Sequence, residues 1–181
     1  MHDKSEKERP DAIIDTIEPL LGATVAIVQA EVGALTPAQA RWHKDPTSWC
    51  VNEVVGHLIE AEQHGFAGRI LTMLASNNPE FVTWDQPAVA AERGDCERDS
   101  WELAKEFVDM RTQNLQLVAE LQPNDLGRTG RHPSIGVLTV RDVLVEWAYH
   151  DRDHVRQLLD VVQALVWSEM GNAQKFYDSH A

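Results

Sequence analysis

Apolar residues recur along this chain at helical spacing in four long stretches, and nowhere does apolar/polar alternation persist between turn signals as a strand requires. The first stretch covers about residues 11–32, with Ile13, Ile17, Leu21, Val25, Val28 and Val32 on its apolar surface and Gly33 as its stop. Pro19 inside it predicts either a kink or a later start. The second stretch follows Pro46, with Thr47 or Ser48 as N-cap and Glu53 in its first turn, and runs to about residue 75, where Ser76-Asn77-Asn78-Pro79 ends it. The third spans about 99–121, capped by Asp99 or Ser100 and closed before Pro123. The fourth starts at Thr139, whose Thr-Val-Arg-Asp run reads as a capping box with Asp at the third position, and reaches about residue 166. The expected class is all-α.

Two connections, 76–98 and 122–138, are longer than helix–helix links usually are, and they hold four of the eight prolines and four of the ten glycines. Loops of that length commonly serve function or mobility. The tails, 1–9 and about 171–181, are expected to be loosely held. With 181 residues the chain is expected to form one domain throughout.

Charge narrows the partners. Sixteen basic and 29 acidic residues leave a net −13, which repels phosphate backbones and anionic headgroups alike, so neither nucleic acid nor a membrane surface is an expected partner. The longest charge-free run in the first stretch, Pro19 to Ala30, is short of the ~20 apolar residues of a membrane span. Residues 1–9 are polar and charged, without a signal-peptide pattern. Cys50 and Cys96 lie far apart and outside any C-x-x-C spacing, so neither a disulfide framework nor a cysteine zinc site is predicted. A reducing cytoplasm is the expected location.

Candidate chemistry comes from histidines. On a wheel of about 100° per residue with Trp147 at zero, Val140 and Leu158 fall near +20° and define the buried stripe of the fourth helix; His154 falls near −20° and His150 near −60°. Both imidazoles point inward, and at i, i+4 their Cβ atoms lie about 5–6 Å apart, close enough to reach one ion. On the second helix, with Val54 at zero, His57 falls near −60°, at the edge of the stripe, and His64 near −80°, as a competitor or a rim residue. Ala61, Gly65 and Gly68 leave either room for a pocket on that side or close helix packing. A single inward histidine is more often a hydrogen-bonded core residue, but two on one turn bring polar nitrogens that must all find partners. Glu146, near −100°, is expected to orient a ligand or face water, and Trp84, in the first long connection, to lie over a pocket. His2, His43, His132 and His180 are expected in solvent.

Two segments resemble a known family. Trp49-Cys50-Val51-Asn52-Glu53-Val54-Val55-Gly56-His57-Leu58, with Glu62 following, is similar to the W-S-x-x-E-V-L-x-H-L-x-x-x-E segment of DinB-like proteins. In the C-terminal half, His132-Pro133-Ser134-Ile135-Gly136, then Thr139-Val140-Arg141, then His150-x-x-x-His154-x-x-Gln157, is similar to the family's H-P-x-x-G, T-x-R and H-x-x-x-H-x-x-Q series in order and spacing. The resemblance implies an up-down-down-up four-helix bundle holding a divalent metal on His57, His150 and His154. It also implies a place among metal-dependent hydrolases of the YfiT type, thiol S-transferases that use bacillithiol, and more distant mycothiol-dependent isomerases, and it implies a homodimer. Cys50 departs from the family's serine; it is expected to cap or pack, with a reactive thiol as the other reading.

Three neutral imidazoles leave at least one coordination position open, unlike closed structural zinc sites with four protein ligands. Such a site either ionises water near pH 7 or binds a thiol as thiolate. Zinc and nickel both suit imidazole. The sequence therefore predicts a metal-dependent enzyme acting on a small-molecule substrate. Transfer of a bacillithiol- or mycothiol-like thiol is placed ahead of hydrolysis, and a non-catalytic binding bundle is the remaining alternative.

Overall fold

Each of the four apolar stretches folds as a helix in the computed structural model, which describes residues 12–83 and 85–178. Helix α1 (Ala12–Ala34) turns Ile17, Leu21, Val28 and Val32 inward. It runs through Pro19, whose ring faces solvent, so the missing N–H neither delays the helix nor lies in the core. A one-turn helix, α2 (Pro37–Ala40), is held by a capping box between Thr36 and Gln39. The second long rod consists of α3 (Val51–Glu60), a π-helical turn (Ala61–Phe66) and α4 (Ala67–Ala75). Its N-cap is Cys50, not Thr47 or Ser48: the Glu53 carboxylate accepts the Cys50 N–H at 2.8 Å, while Ser48 is used in a separate turn with Asp45.

The long connections contain more order than periodicity foretells. The first carries α5 (Gln86–Arg93), capped by Asp85 and ended by Gly94 at φ 56°, and then a 3₁₀ turn, Asp95–Glu97. Helix α6 (Ser100–Glu120) starts at Asp99, whose carboxylate accepts the N–H groups of Trp101 and Glu102. The second connection folds into an antiparallel hairpin, β1 (Thr129–His132) and β2 (Gly136–Thr139), in the register Thr129↔Thr139. The expectation of no strand is thus corrected: four-residue strands are too short for alternation to register. Arg131 ties the two connections together through its backbone, its N–H donating to the Pro79 carbonyl and its carbonyl accepting the Phe81 N–H, both at 2.8 Å. Helix α7 (Val140–Trp167) opens with the predicted Thr139/Asp142 capping box. A 3₁₀ segment, Ser168–Gln174, and α8 (Lys175–Asp178) form the C-terminal tail; residues 1–9 and Trp84 lie outside the described residues.

The core gives the topology directly. One apolar cluster joins the start of α1 (Ile17, Leu21) to the ends of α4 (Ile70, Met73) and α6 (Val118) and to the start of α7 (Val140, Leu144). The other joins the end of α1 (Val28, Val32) to the starts of α3 (Val51, Val54) and α6 (Leu103, Phe107) and to the end of α7 (Leu158, Val161). The helices therefore run up, down, down and up. The second and third are parallel, and 76–99 must cross the length of the bundle to join them. Among the described residues α1 alone is long and apolar enough, at a mean hydropathy of 1.4, to cross a membrane, because its acidic residues sit toward its ends. In the bundle its inward face packs on α6 and α7.

Candidate metal centre

Helices α3 and α7 lie side by side, and each brings imidazoles to the same spot near the middle of the bundle. His57 and His150 approach to 3.1 Å between their Nε2 atoms, and one ring nitrogen from each of His57, His150 and His154 lies within 4.8 Å of the others. The ring centroids are 4.4 Å apart for His57 and His154 and 4.3 Å for His150 and His154. Two nitrogens bound to one tetrahedral zinc at about 2.0–2.1 Å stand about 3.3–3.4 Å apart, so the spacing suits a shared small cation. The donor chemistry suits it as well, since three imidazoles face each other with no carboxylate among them.

The protonation states agree with ligation. Burial, followed by the neighbouring rings of His154 and His150, pushes His57 down to about 3. Burial, then His154 and Arg111, pushes His150 down to about 4. Both shifts favour the neutral ring, the form that binds a cation. Gln157 Oε1 lies 2.8 Å from His154 Nδ1, and because an amide oxygen only accepts, Nδ1 carries the proton and Nε2 keeps its lone pair. His150 Nδ1 is buried with no hydrogen-bond partner, leaving that ring with unspent polar capacity. Around the rings, Trp49 stacks on His154 at 6.1 Å and tilts over His57 at 5.0 Å, while Phe66 meets His150 edge-on at 5.1 Å.

Outside His57, Trp49, Glu53, Glu60, Gln86 and Arg93 line a cleft between α3 and α5. Its floor is tight: a Cβ on Gly56 would come within 1.9 Å of the Asp95 carboxylate, which is why only glycine fits there. Arg93 donates to Asp95 at 2.7 Å and to Glu60 at 3.2 Å. The other oxygen of Glu60 is buried without a hydrogen bond.

Behind the histidines lies a polar cluster that the sequence reading missed. Arg111, fully buried on α6, donates from Nη1 and Nη2 to Asp151 at 2.7 and 3.0 Å, from Nε to Glu62 at 2.7 Å, and from Nη1 to the Leu21 carbonyl at 2.8 Å. Trp147 Nε1 and Asn114 Nδ2 also donate to Glu62, at 3.0 and 2.6 Å, and Thr24 donates to Asp151 at 2.7 Å. Burial works against the Arg111 charge, but Asp151 and Glu62 outweigh it and raise its pKa. Burial raises Glu62 against the pull of Arg111. Asp151 directly follows His150, so this cluster fixes the backbone that presents the ligand pair. Its sequence signals are Glu62, which follows the family-like segment of the second helix, and an arginine in the interior pattern of the third helix, which on composition alone reads as solvent-facing.

The other candidates fall away from the three rings. His64 is exposed, 3.7 Å from Glu60, at the rim. Glu146 is exposed. Ala61 and Gly65 are buried, but Phe66, stacked on Trp147 at 5.4 Å, fills that side instead of a pocket. His132 lies on β1 and accepts the Ser134 N–H at 3.2 Å. The cysteines are corrected more sharply: Cys50 and Cys96, unrelated by sequence spacing, lie with sulfurs 3.1 Å apart, and His43, exposed as expected, is 3.4 Å from Cys96.

An up-down-down-up bundle whose second and fourth helices converge three histidines defines a class of helical protein with one shared interior site. The chain belongs to the DinB superfamily, whose sequence profile matches residues 21–158. Among solved structures it is similar to YfiT from Bacillus subtilis, described as a probable metal-dependent hydrolase with an unusual four-helix bundle topology. The TM-score is 0.76 at 18% identity, over 92% of this chain and 93% of that one, a likeness that carries the fold. No curated protein matches the sequence significantly.

Proposed function

We propose that the protein is a metal-dependent hydrolase in which His57, His150 and His154 hold a divalent cation, zinc or nickel, and a water attacks a small-molecule substrate. The observation that carries this reading is the convergence of three imidazoles, two of them with Nε2 atoms 3.1 Å apart. The chemistry such a cation supplies is Lewis acidity, which brings the ionisation of water down to about pH 7. The chain's own residues do the rest. Gln157 fixes the His154 tautomer, Arg111 and Asp151 hold the turn of α7 that bears both ligands, and Trp49 and Phe66 exclude bulk water from the rings. Glu60, which shares the cleft lining with His57 and accepts from Arg93 at 3.2 Å, gives that approach a negative wall.

Sequence alone places thiol transfer first. The reading given to YfiT moves hydrolysis ahead, and a bacillithiol- or mycothiol-like cosubstrate becomes an outcome of the same experiment. Metallated protein purified without a His-tag is assayed on ester and amide panels, with chelated protein and His150→Ala as controls. Hydrolysis that vanishes in both controls is the expected result. Thiol-dependent conjugation of monochlorobimane without hydrolysis would replace the reading with S-transfer, and inertness of the fully metallated protein in both assays would leave a binding bundle. The same reading places the protein in the cytoplasm as a homodimer of single-domain chains, which light scattering at micromolar concentration checks for the dimer.

A further inference from the structure

We propose that Cys50, Cys96, His43 and Glu53 form a second metal site, separate from the three histidines, that takes zinc. The stretch from His43 to Glu53 and the distant Cys96, 46 residues beyond Cys50, meet there. Cys50 caps α3 and Glu53 is its third helical residue; Cys96 sits in the 3₁₀ turn Asp95–Glu97; His43 lies in the stretch between α2 and α3. One donor atom from each of the four lies within 4.8 Å of the other three.

The side chains are aimed as ligands. His43 Nδ1 is 2.8 Å from the Ser48 carbonyl, which only accepts, so Nδ1 carries the proton and Nε2 presents its lone pair to Cys96 Sγ at 3.4 Å. One carboxylate oxygen of Glu53 accepts the Cys50 N–H at 2.8 Å and lies 3.7 Å from His43 Nδ1, which anchors the carboxylate beside both residues. A tetrahedral zinc with Zn–S about 2.3 Å and Zn–N about 2.0–2.1 Å sets sulfur from sulfur at about 3.8 Å and sulfur from nitrogen at about 3.6 Å. The observed 3.1 and 3.4 Å therefore require the two sulfurs to part by about 0.7 Å and His43 to move from Cys96 by about 0.2 Å, an adjustment that a χ1 rotation at the half-buried Cys96 supplies.

Two thiolates, an imidazole and a carboxylate are a zinc donor set, softer than the three imidazoles. A disulfide between the same cysteines would need neither the imidazole oriented on Cys96 nor the carboxylate beside Cys50. Burial, followed by the Cys96 contact, pushes the Cys50 thiol up, so binding the cation displaces the Cys50 proton. The consequence reaches the first site. Trp49, next to Cys50, covers His57 and His154, and Asp95, next to Cys96, packs on Gly56 in the cleft, so a cation at the second site would pin both walls of the first.

The test uses the full chain, purified reduced and without a His-tag, in a His150→Ala/His154→Ala background that disables the first site. One zinc per chain is expected there, and cobalt in its place should show a near-ultraviolet thiolate-to-cobalt charge-transfer band. Cys96→Ser or His43→Ala, both away from the core, should abolish the zinc and the band. A folded double variant that binds no zinc and shows no cobalt–thiolate band overturns the proposal, as does recovery of Cys50 and Cys96 as a disulfide that zinc does not prevent. If the double variant does not fold, the wild type decides: Cys96→Ser must lower zinc from two equivalents to one and remove the thiolate band, and unchanged metal content overturns the site. Because the readout is bound metal and a sulfur-specific band, failure here leaves the hydrolase reading standing, and failure of that reading leaves this one standing.

Discussion

Gln157 illustrates how much of this site rests on single atoms. Its amide oxygen holds His154 in the tautomer that binds through Nε2. Gln157→Leu keeps the volume and removes the acceptor, and is expected to weaken metal affinity by roughly 10–100-fold with little change in fold, read by competition with a chelating dye. His57→Ala or His154→Ala should strip the metal outright; equal metal content in these variants and the wild type would exclude the assignment. The same rings set a pH dependence. His57 and His150 are held down to about 3 and about 4, whereas in the unfolded chain they titrate near 6.5. Between those values the unfolded chain binds more protons, so their contribution to stability is full above about pH 6.5 and is lost as pH falls toward 4. Metal-free protein should show a lower urea midpoint at pH 5 than at pH 7.5, and His57→Ala should flatten that difference; an unchanged slope would contradict it. Both α7 ligands were legible from sequence because α7 is unbroken, so counting 100° per residue remains true along it.

The second rod shows where that counting fails. The π-helical turn at Ala61–Phe66 advances less per residue than an α-helix, so positions beyond Ala61 fall off the wheel drawn from Val54. His57 precedes the turn and lands as predicted; His64 lies within it and swings to the rim, while Glu62 turns fully inward. Gly68 belongs to the same device. A glycine-to-alanine change inside a helix ordinarily stabilises by about 1 kcal/mol. At Gly68 a Cβ would stand 2.1 Å from the Gln63 carbonyl oxygen, so Gly68→Ala is expected to destabilise by roughly 1–3 kcal/mol, measured by urea denaturation. A gain in stability would show that the π turn relaxes at no cost. Gly56→Ala should behave likewise, with the Asp95 carboxylate as the obstacle.

At the scale of the molecule, the Arg111 cluster links all four bundle helices, through Leu21 and Thr24 on the first, Glu62 on the second, Arg111 and Asn114 on the third, and Trp147 and Asp151 on the fourth. Removing one member of a buried ion cluster leaves the others uncompensated, typically at about 3–5 kcal/mol. Arg111→Leu is therefore expected to lower stability by that order and, because Asp151 then loses its anchor beside His150, to weaken metal binding as well. Stability loss with metal affinity intact would separate the cluster from the site. Replacing Arg111, Glu62 and Asp151 together by apolar residues should cost less than Arg111→Leu alone, since no charge is left buried without a partner.

Local periodicity and capping chemistry act within a few residues, and they were enough to set the four long helices, the Asp99 and Thr139 caps, and the inward faces bearing His57, His150 and His154. The hairpin and the helix at Gln86–Arg93 depend on partners brought from elsewhere in the chain, as when Phe81 and Pro79 pair with Arg131 and Arg93 with Glu60, whereas the cap at Cys50 is local, made by Glu53, and escaped notice because cysteine is not among the usual capping residues. The pairing of Cys50 with Cys96, and of Arg111 with Glu62 and Asp151, joins residues tens of positions apart whose spacing obeys no period. Only the packed bundle, by excluding water and forcing every interior polar atom to find a partner, decided which of these side chains meet.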